Sequence, residues 1–184
     1  ILLQNIKYNC PYVSVFDGKH NFLFNSKDNV ILNSEFINHG FEESNLYNFF
    51  CLSKKFYHNP SGIFLEVGGN VGTTTIKALD NNDVSKVITF EPATENYKML
   101  KINKILNGYD NNKIEIYQKA VSNKSGGFLE IGICEENFGD CRIEINKHTD
   151  RKTEKVSVIS IDDFICENNI DIKDIGFMWV DTQG

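Results

Sequence analysis

The spacing of apolar and polar positions changes several times along the chain, and each change predicts an element. Tyr12-Val13-Ser14-Val15-Phe16 alternates, Asp17-Gly18 interrupts, and Phe22-Leu23-Phe24 resumes, which predicts a hairpin. Residues 1–33 as a whole read as short strands and turns. Between 42 and 57, Leu46, Phe49, Phe50, Leu52 and Phe56 recur at helical spacing, and Asn59-Pro60-Ser61-Gly62 closes that helix. From residue 63 on, buried-strand runs alternate with helical stretches. Ile63-Phe64-Leu65 is one such run, with a helix from about 73 to 79 behind it. Val87-Ile88-Thr89-Phe90 is the next, followed by a helix over 94–106 with Tyr97, Leu100, Ile102 and Ile105 as its apolar positions and Asn107-Gly108 as its stop. Ile114-Glu115-Ile116-Tyr117 alternates as a third strand leading to Ala120-Val121. Residues 127–133 and 142–146 pattern as paired strands, 155–161 as a strand and 162–168 as a short helix. Phe177-Met178-Trp179-Val180 is a buried strand ending at Asp181.

This βαβαβ rhythm predicts an α/β fold: a doubly wound, mostly parallel sheet with helices on both faces. At 184 residues the chain is long enough for a real core. One structural domain is expected, with residues 1–60 as an N-terminal hairpin and helix extension packed on a core at 61–184. Ligands on such sheets bind beyond the carboxyl ends of the strands. Glu66, Glu91, Ala120 and Asp181 each follow a strand run, so they are expected to gather along one edge.

Composition narrows the partners. A net charge of −6 argues against a chain built to grip nucleic acid. Lys98, Lys101 and Lys104 would share one helix face and read as a solvated surface. The cysteines Cys10, Cys51, Cys134, Cys141 and Cys166 are odd in number and contain no C-x-x-C, so neither a zinc knuckle nor a thioredoxin-like site is indicated. Reduced thiols in a cytoplasmic protein are the simplest account. No apolar run approaches membrane-spanning length, no signal peptide is visible, and no His/Asp/Glu cluster has metal-ligand spacing.

The chemistry concentrates at Glu66-Val67-Gly68-Gly69-Asn70-Val71-Gly72, where a strand meets a helix through a glycine turn. The dinucleotide pattern G-x-G-x-x-G fails from Gly68, which meets Asn70, and from Gly69, which meets Val71. A phosphate-binding P-loop fails for lack of Gly-Lys-Ser/Thr. What fits is acid-x-Gly-x-x-x-Gly at Glu66, Gly68 and Gly72, similar to the S-adenosylmethionine loop of class I methyltransferases. That cofactor has no pyrophosphate. Its amino acid and sulfonium favour a carboxylate and close backbone, which glycines allow. Glu91, ending the next strand, is placed to accept from ribose hydroxyls.

With these residues the chain resembles the FkbM family of methyltransferases over roughly 41–184. Phe64 to Gly72 is similar to the first motif of that family, where Asp is commoner than Glu. Phe90-Glu91-Pro92-Ala93-Thr94-Glu95-Asn96-Tyr97 resembles its Phe-Glu-Pro segment, and Asn103 and Asn107 fall where it often has asparagines. Ala120-Val121-Ser122, Ile161-Asp162-Asp163-Phe164 and Trp179-Val180-Asp181-Thr182-Gln183-Gly184 resemble later motifs in family order. The resemblance implies a Rossmann-like core and methyl transfer from S-adenosylmethionine, leaving S-adenosylhomocysteine, usually to a hydroxyl of a sugar or secondary metabolite. It implies cofactor contacts at Glu66, Gly68, Gly69, Asn70, Gly72, Glu91, Pro92 and Ala120. Family members continue past the position of Gly184 with a helix and further strands. A core truncated on its C-terminal side is therefore expected, with an incomplete acceptor pocket and an edge open to another chain.

A hydroxyl acceptor needs a base. Asp181 is the candidate for that role or for acceptor positioning, with cofactor binding or capping as the equal alternative. His20, His39, His58 and His148 are isolated and read as surface or core histidines. Asn9-Cys10-Pro11-Tyr12 looks like an amino-methyltransferase loop but precedes the glycine loop, so it reads as a turn and a core aromatic. The polar segment 135–140 reads as a hairpin tip and, second, as an acceptor-selecting loop. Two other functions stand beside methyl transfer: a non-catalytic S-adenosylmethionine- or nucleotide-binding module, and an NAD-dependent oxidoreductase, which the failed dinucleotide pattern disfavours. The expected partner is a small-molecule or carbohydrate acceptor, with no nucleic acid and no membrane; a homo-oligomer is allowed.

Overall fold

The computed structural model of the protein describes residues 5, 9–38, 40, 42–58, 60–133, 142–143 and 152–182. Strands β3 (Gly62–Val67), β4 (Val84–Phe90), β5 (Ile114–Tyr117) and β10 (Ile175–Val180) form a sheet in the order β10-β3-β4-β5, every neighbour parallel. Parallel strands need crossovers, and helices α3 (Thr73–Ala78) and α4 (Thr94–Leu106) supply the first two.

The alternation within each strand decides what each face buries. Phe64, Val87, Ile114 and Phe177 point to one face and join Ile76 of α3, Met99 of α4, and Leu46 and Phe50 of helix α2 (Glu43–Phe56) in one core cluster. Phe50 meets Phe177 edge-on at 5.1 Å between ring centres, a favoured aromatic arrangement. Leu65, Val67, Ile88 and Phe90 point to the other face, against Ile159 and against Phe164 of helix α5 (Ile161–Glu167). Phe90 and Phe164 are again edge-on, at 4.8 Å. Each such fully buried ring is worth roughly 1.5–3 kcal/mol over an exposed one. The sheet therefore has a hydrophobic layer on both sides, as the continuous apolar runs predict.

A second sheet runs in the order β6-β9-β7-β8, from β6 (Ala120–Val121), β7 (Phe128–Ile133), β8 (Arg142–Ile143) and β9 (Lys152–Ile159). The pairing of β7 with β8 and β9 is antiparallel. β9 ends earlier than the run 155–161 suggests. Ser160 caps α5, its hydroxyl accepting from the Asp163 amide at 3.1 Å.

The N-terminal hairpin pairs β1 (Tyr12–Phe16) with β2 (Asn21–Asn25), and Val13, Val15, Phe22 and Phe24 belong to the main core cluster. One element departs from the reading of residues 1–33 as strands and turns: helix α1 (Ile31–Asn38). Asp28 starts it, accepting from the amides of Val30 and Ile31 at 2.8 Å.

The helix faces also differ from the apolar spacing. On α2, Leu46 and Phe50 are buried but Leu52 and Phe56 are exposed. On α4, Ile102 and Ile105 are exposed, while Asn96, Met99, Leu100, Asn103 and Lys104 are buried. The physical reason is Asn103. Its side chain accepts from the Leu23 amide at 2.6 Å and donates to the carbonyls of Leu23 at 3.0 Å and Val71 at 2.8 Å. Asn107 does the same for Asn21, accepting at 3.0 Å and donating at 2.7 Å. Two amides thus act as a short pairing partner for β2, so an amide outranks an isoleucine for the inward position. Lys98, Lys101 and Lys104 do not form one solvated row: Lys98 pairs with Glu95, Lys101 lies over Tyr97, and Lys104 is buried on Asn111.

Replacing Asn103 with Ala orphans backbone groups of both β2 and the glycine loop. We expect a loss of about 2–4 kcal/mol in urea unfolding. A change below about 0.5 kcal/mol would contradict this role.

Candidate active site

The glycine turn is built by its own amides. The amides of Gly68 and Gly69 both donate to the Phe90 carbonyl, at 2.9 and 3.0 Å, and the Gly72 amide donates to Gly69 at 2.8 Å. The turn therefore folds over the end of β4 and brings Glu91 beneath it. At Gly68 the backbone has φ of 95° and an added Cβ would lie 1.9 Å from the Asp181 carbonyl oxygen, so only glycine fits. At Gly69 an added Cβ would meet Thr89 Oγ1 at 2.2 Å. Gly72, with φ of 92°, precedes α3 and packs on Leu100. Asn70 is left-handed, with φ of 48°, a region asparagine tolerates better than most residues.

Glu91 is 4% exposed. One carboxylate oxygen accepts from the Asn70 amide and the other from the Ala93 amide, both at 2.8 Å. The Asn96 side chain also hydrogen-bonds to this carboxylate, so of its roughly four acceptor sites one remains. Burial is the main force on this acid and pushes it from 4.5 to about 7, against the two amides and the Asn96 side chain. Glu66 is fully buried on the same face as Phe64. Its carboxylate accepts from the Thr75 hydroxyl of α3, while Oε1 has no hydrogen-bond partner among the described residues. Burial pushes Glu66 to about 7 as well, against the hydroxyls of Thr75 and of Thr89 on β4, and the nearby Glu91 and Asp181 carboxylates add to the upward push.

Asp181 follows β10. Its amide donates to the Val67 carbonyl at 2.9 Å, which places it beside the glycine turn. Its side chain is exposed, and it also raises Glu42, where burial is the larger cause. Three carboxylates from three parallel strand ends thus converge on one edge. The forces on the two buried ones are burial, hydroxyl and amide hydrogen bonds, and other carboxylates.

A profile of the Methyltransferase FkbM domain matches residues 66–184, the segment that carries all of these groups. The chain belongs to this family. No curated protein matches it. Among solved structures, a SAM-dependent methyltransferase from Agrobacterium tumefaciens is similar at 10% identity with a TM-score of 0.42, over 60% of this chain and 33% of that one. A precorrin 8w decarboxylase from Methanobacterium thermoautotrophicum is similar at 17% identity with a TM-score of 0.33, over 41% of this chain and 38% of that one. The chain thus spans well under half the length of either protein.

In this FkbM domain the edge suits the cofactor that the sequence suggests. S-adenosylmethionine presents an ammonium, a sulfonium and two ribose hydroxyls. The orphaned Glu66 Oε1 and Asn70 Oδ1 and the remaining acceptor site of Glu91 are all of the matching kind. Pro92, half-buried, continues from Glu91 into α4. Ala120 lies apart from the polar groups: it sits in the second sheet, opposite Val158, and packs on Ala93, Ile131 and Val156.

Sequence reasoning missed Thr75, Thr89 and Glu154. Glu154 of β9 accepts from the Thr94 amide at 2.9 Å, which ties the second sheet to the first turn of α4. The signal for Thr75 was there: threonine is unusual inside a helix unless its hydroxyl has a partner. His20 is buried on Asp17 and Asp80, far along the chain from the strand ends, and His58 is exposed. His39, His148, Cys134, Cys141, the 135–140 loop, Gln183 and Gly184 lie outside the described residues. Cys10, Cys51 and Cys166 are exposed free thiols. No helix among the described residues is long and apolar enough to cross a membrane.

The raised Glu66 has a measurable consequence. The folded state holds its proton to about pH 7, against 4.5 for an ordinary glutamate, so the folded state binds more protons between those values. Stability is then highest below about 4.5 and falls as pH rises through about 7. Glu66→Gln keeps the neutral shape. Urea titrations should find it equal to wild type near pH 4 and more stable by about 1–3 kcal/mol near pH 8. A variant that is the less stable one near pH 8 would contradict a buried, raised acid.

Proposed function

We propose that this domain binds S-adenosylmethionine along the Glu66–Gly72, Glu91 and Asp181 edge and transfers its methyl group to a hydroxyl oxygen of a sugar or secondary metabolite. The observation that carries the reading is Glu91. It is held rigid by two amides at 2.8 Å and by the Asn96 side chain, with acceptor capacity left over, at the place where a ribose would sit.

Bound there, S-adenosylmethionine supplies an electrophilic methyl carbon. The chain supplies the rest. Glu91 accepts from a ribose hydroxyl by a charge-assisted bond. The orphaned Oε1 of Glu66 accepts from a donor on the amino-acid moiety. The glycine turn lets the backbone come close. Asp181, exposed at the end of β10, takes the proton of the acceptor hydroxyl as its oxygen attacks. Alignment of acceptor oxygen and methyl carbon is the larger contribution.

Calorimetric titration and thermal shift with S-adenosylmethionine, S-adenosylhomocysteine and NAD test the reading. The two sulfur ligands should bind and NAD should not. Glu91→Ala should weaken them roughly tenfold to a hundredfold, as loss of hydrogen bonds to a charged acceptor requires. Stabilisation by NAD alone would overturn the reading. Tight S-adenosylmethionine binding with no methylation of any hydroxyl by the whole protein would leave a non-catalytic binding module.

A further inference from the structure

A cavity of about 400 Å³ lies on the other pole of the sheet. Asp80 and Asn81 line it and precede β4, whereas Glu91 follows β4. β4 is seven residues long, and at about 3.3 Å per residue the two ends are roughly 20 Å apart. A molecule in this cavity cannot receive a methyl group at the strand ends, so the cavity is a separate site. Its volume falls in the range of small-molecule pockets, about 300–1,000 Å³.

Its walls differ in kind. Leu46, Tyr47 and Phe50 of α2 form an apolar and aromatic side. The facing side is ionic, and it is built rather than incidental: Asp17, His20 and Lys77 line it with side chains 6% exposed. The Lys77 ammonium is 2.8 Å from Glu35 and 3.5 Å from Asp17. His20 has Asp17 at 3.6 Å and Asp80 at 3.2 Å on its two nitrogens. At the rim Lys19 pairs with Asp80 at 2.6 Å and Lys54 with Asp83 at 2.8 Å.

Charge decides the ligand. The cavity and the partners of its lysines hold five carboxylates, Asp17, Glu35, Glu43, Asp80 and Asp83, against three ammonium groups, Lys19, Lys54 and Lys77. Each lysine is already paired with a carboxylate, while Glu43 forms no ion pair among the described residues. Burial works against ionised Asp17, yet the amides of His20 and Lys19 and the Lys77 ammonium hold it below the usual carboxylate range. The excess is negative, and the opposite wall carries the aromatic rings of Tyr47 and Phe50, a residue type that attracts cations.

We propose that this cavity binds a small organic cation, an amine on an aromatic or branched apolar body. The ammonium lies on the Asp17, Glu43 and Asp80 side and the body lies against Leu46, Tyr47 and Phe50. This site does not depend on what the strand-end edge binds.

The test is an NMR titration of the full chain with phenethylamine and, separately, phenylacetate, which has a similar body and the opposite charge. Saturable shifts at Leu46, Phe50 and His20 are expected with phenethylamine, and at least roughly tenfold weaker binding with phenylacetate. Glu43→Gln and Tyr47→Ala alter exposed residues, so both variants should fold as wild type does. Each should weaken the amine roughly three- to tenfold. Saturating S-adenosylhomocysteine should leave the amine bound. Phenylacetate binding as tightly as the amine, no saturable shift at these residues, or unchanged affinity in both variants would overturn the proposal. Absence of S-adenosylhomocysteine binding would count against the strand-end reading alone.

Discussion

The Glu91 carboxylate between the Asn70 and Ala93 amides is the constraint on which the site depends. It joins the turn after β3 to the turn after β4 through one buried group. Parallel neighbours share no tight turn, so something other than chain connectivity must register their ends. Here a carboxylate does it, assisted by the Phe90 carbonyl accepting from both Gly68 and Gly69. Desolvation raises the acid, so ionised Glu91 costs stability even as it registers the two turns. A ligand that donates to its remaining acceptor site would offset that cost.

The same economy appears behind the turn. Asn103 reaches the Val71 carbonyl with one side of its amide and β2 with the other. The hairpin is thereby attached to the glycine loop through α4, and its apolar side chains enter the main core. α3 works in the opposite direction. Thr75 holds Glu66 at the cofactor edge, and Lys77, two residues on, holds the ionic wall of the distal cavity. One short helix is thus anchored at both poles of the domain.

Much of this was legible in the sequence. The apolar runs at Ile63 and Val87 and their acidic ends give the parallel sheet, its order of motifs and the edge where Glu66, Glu91 and Asp181 meet. The spacing of Gly68 and Gly72 excludes a dinucleotide turn. What periodicity could not show was the inward face of α4. An isoleucine at 102 or 105 looks like core, but hydrogen bonds to unpaired backbone of β2 and Val71 outweigh an apolar contact, so Asn103 turns inward. Ala120 follows a strand run, yet β6 pairs with β9 and leaves the central sheet, which local pattern does not encode. Glu154 is 60 residues from Thr94, a separation no window of sequence spans.

A crystal structure of the protein with S-adenosylhomocysteine tests the central claim most directly. A ribose hydroxyl is expected within hydrogen-bond distance of the Glu91 carboxylate, about 2.5–3.0 Å, and the amino-acid moiety beside Glu66 and Gly68. A ligand bound with its ribose away from Glu91, or seated in the distal cavity by Lys77 and Tyr47, would contradict that claim.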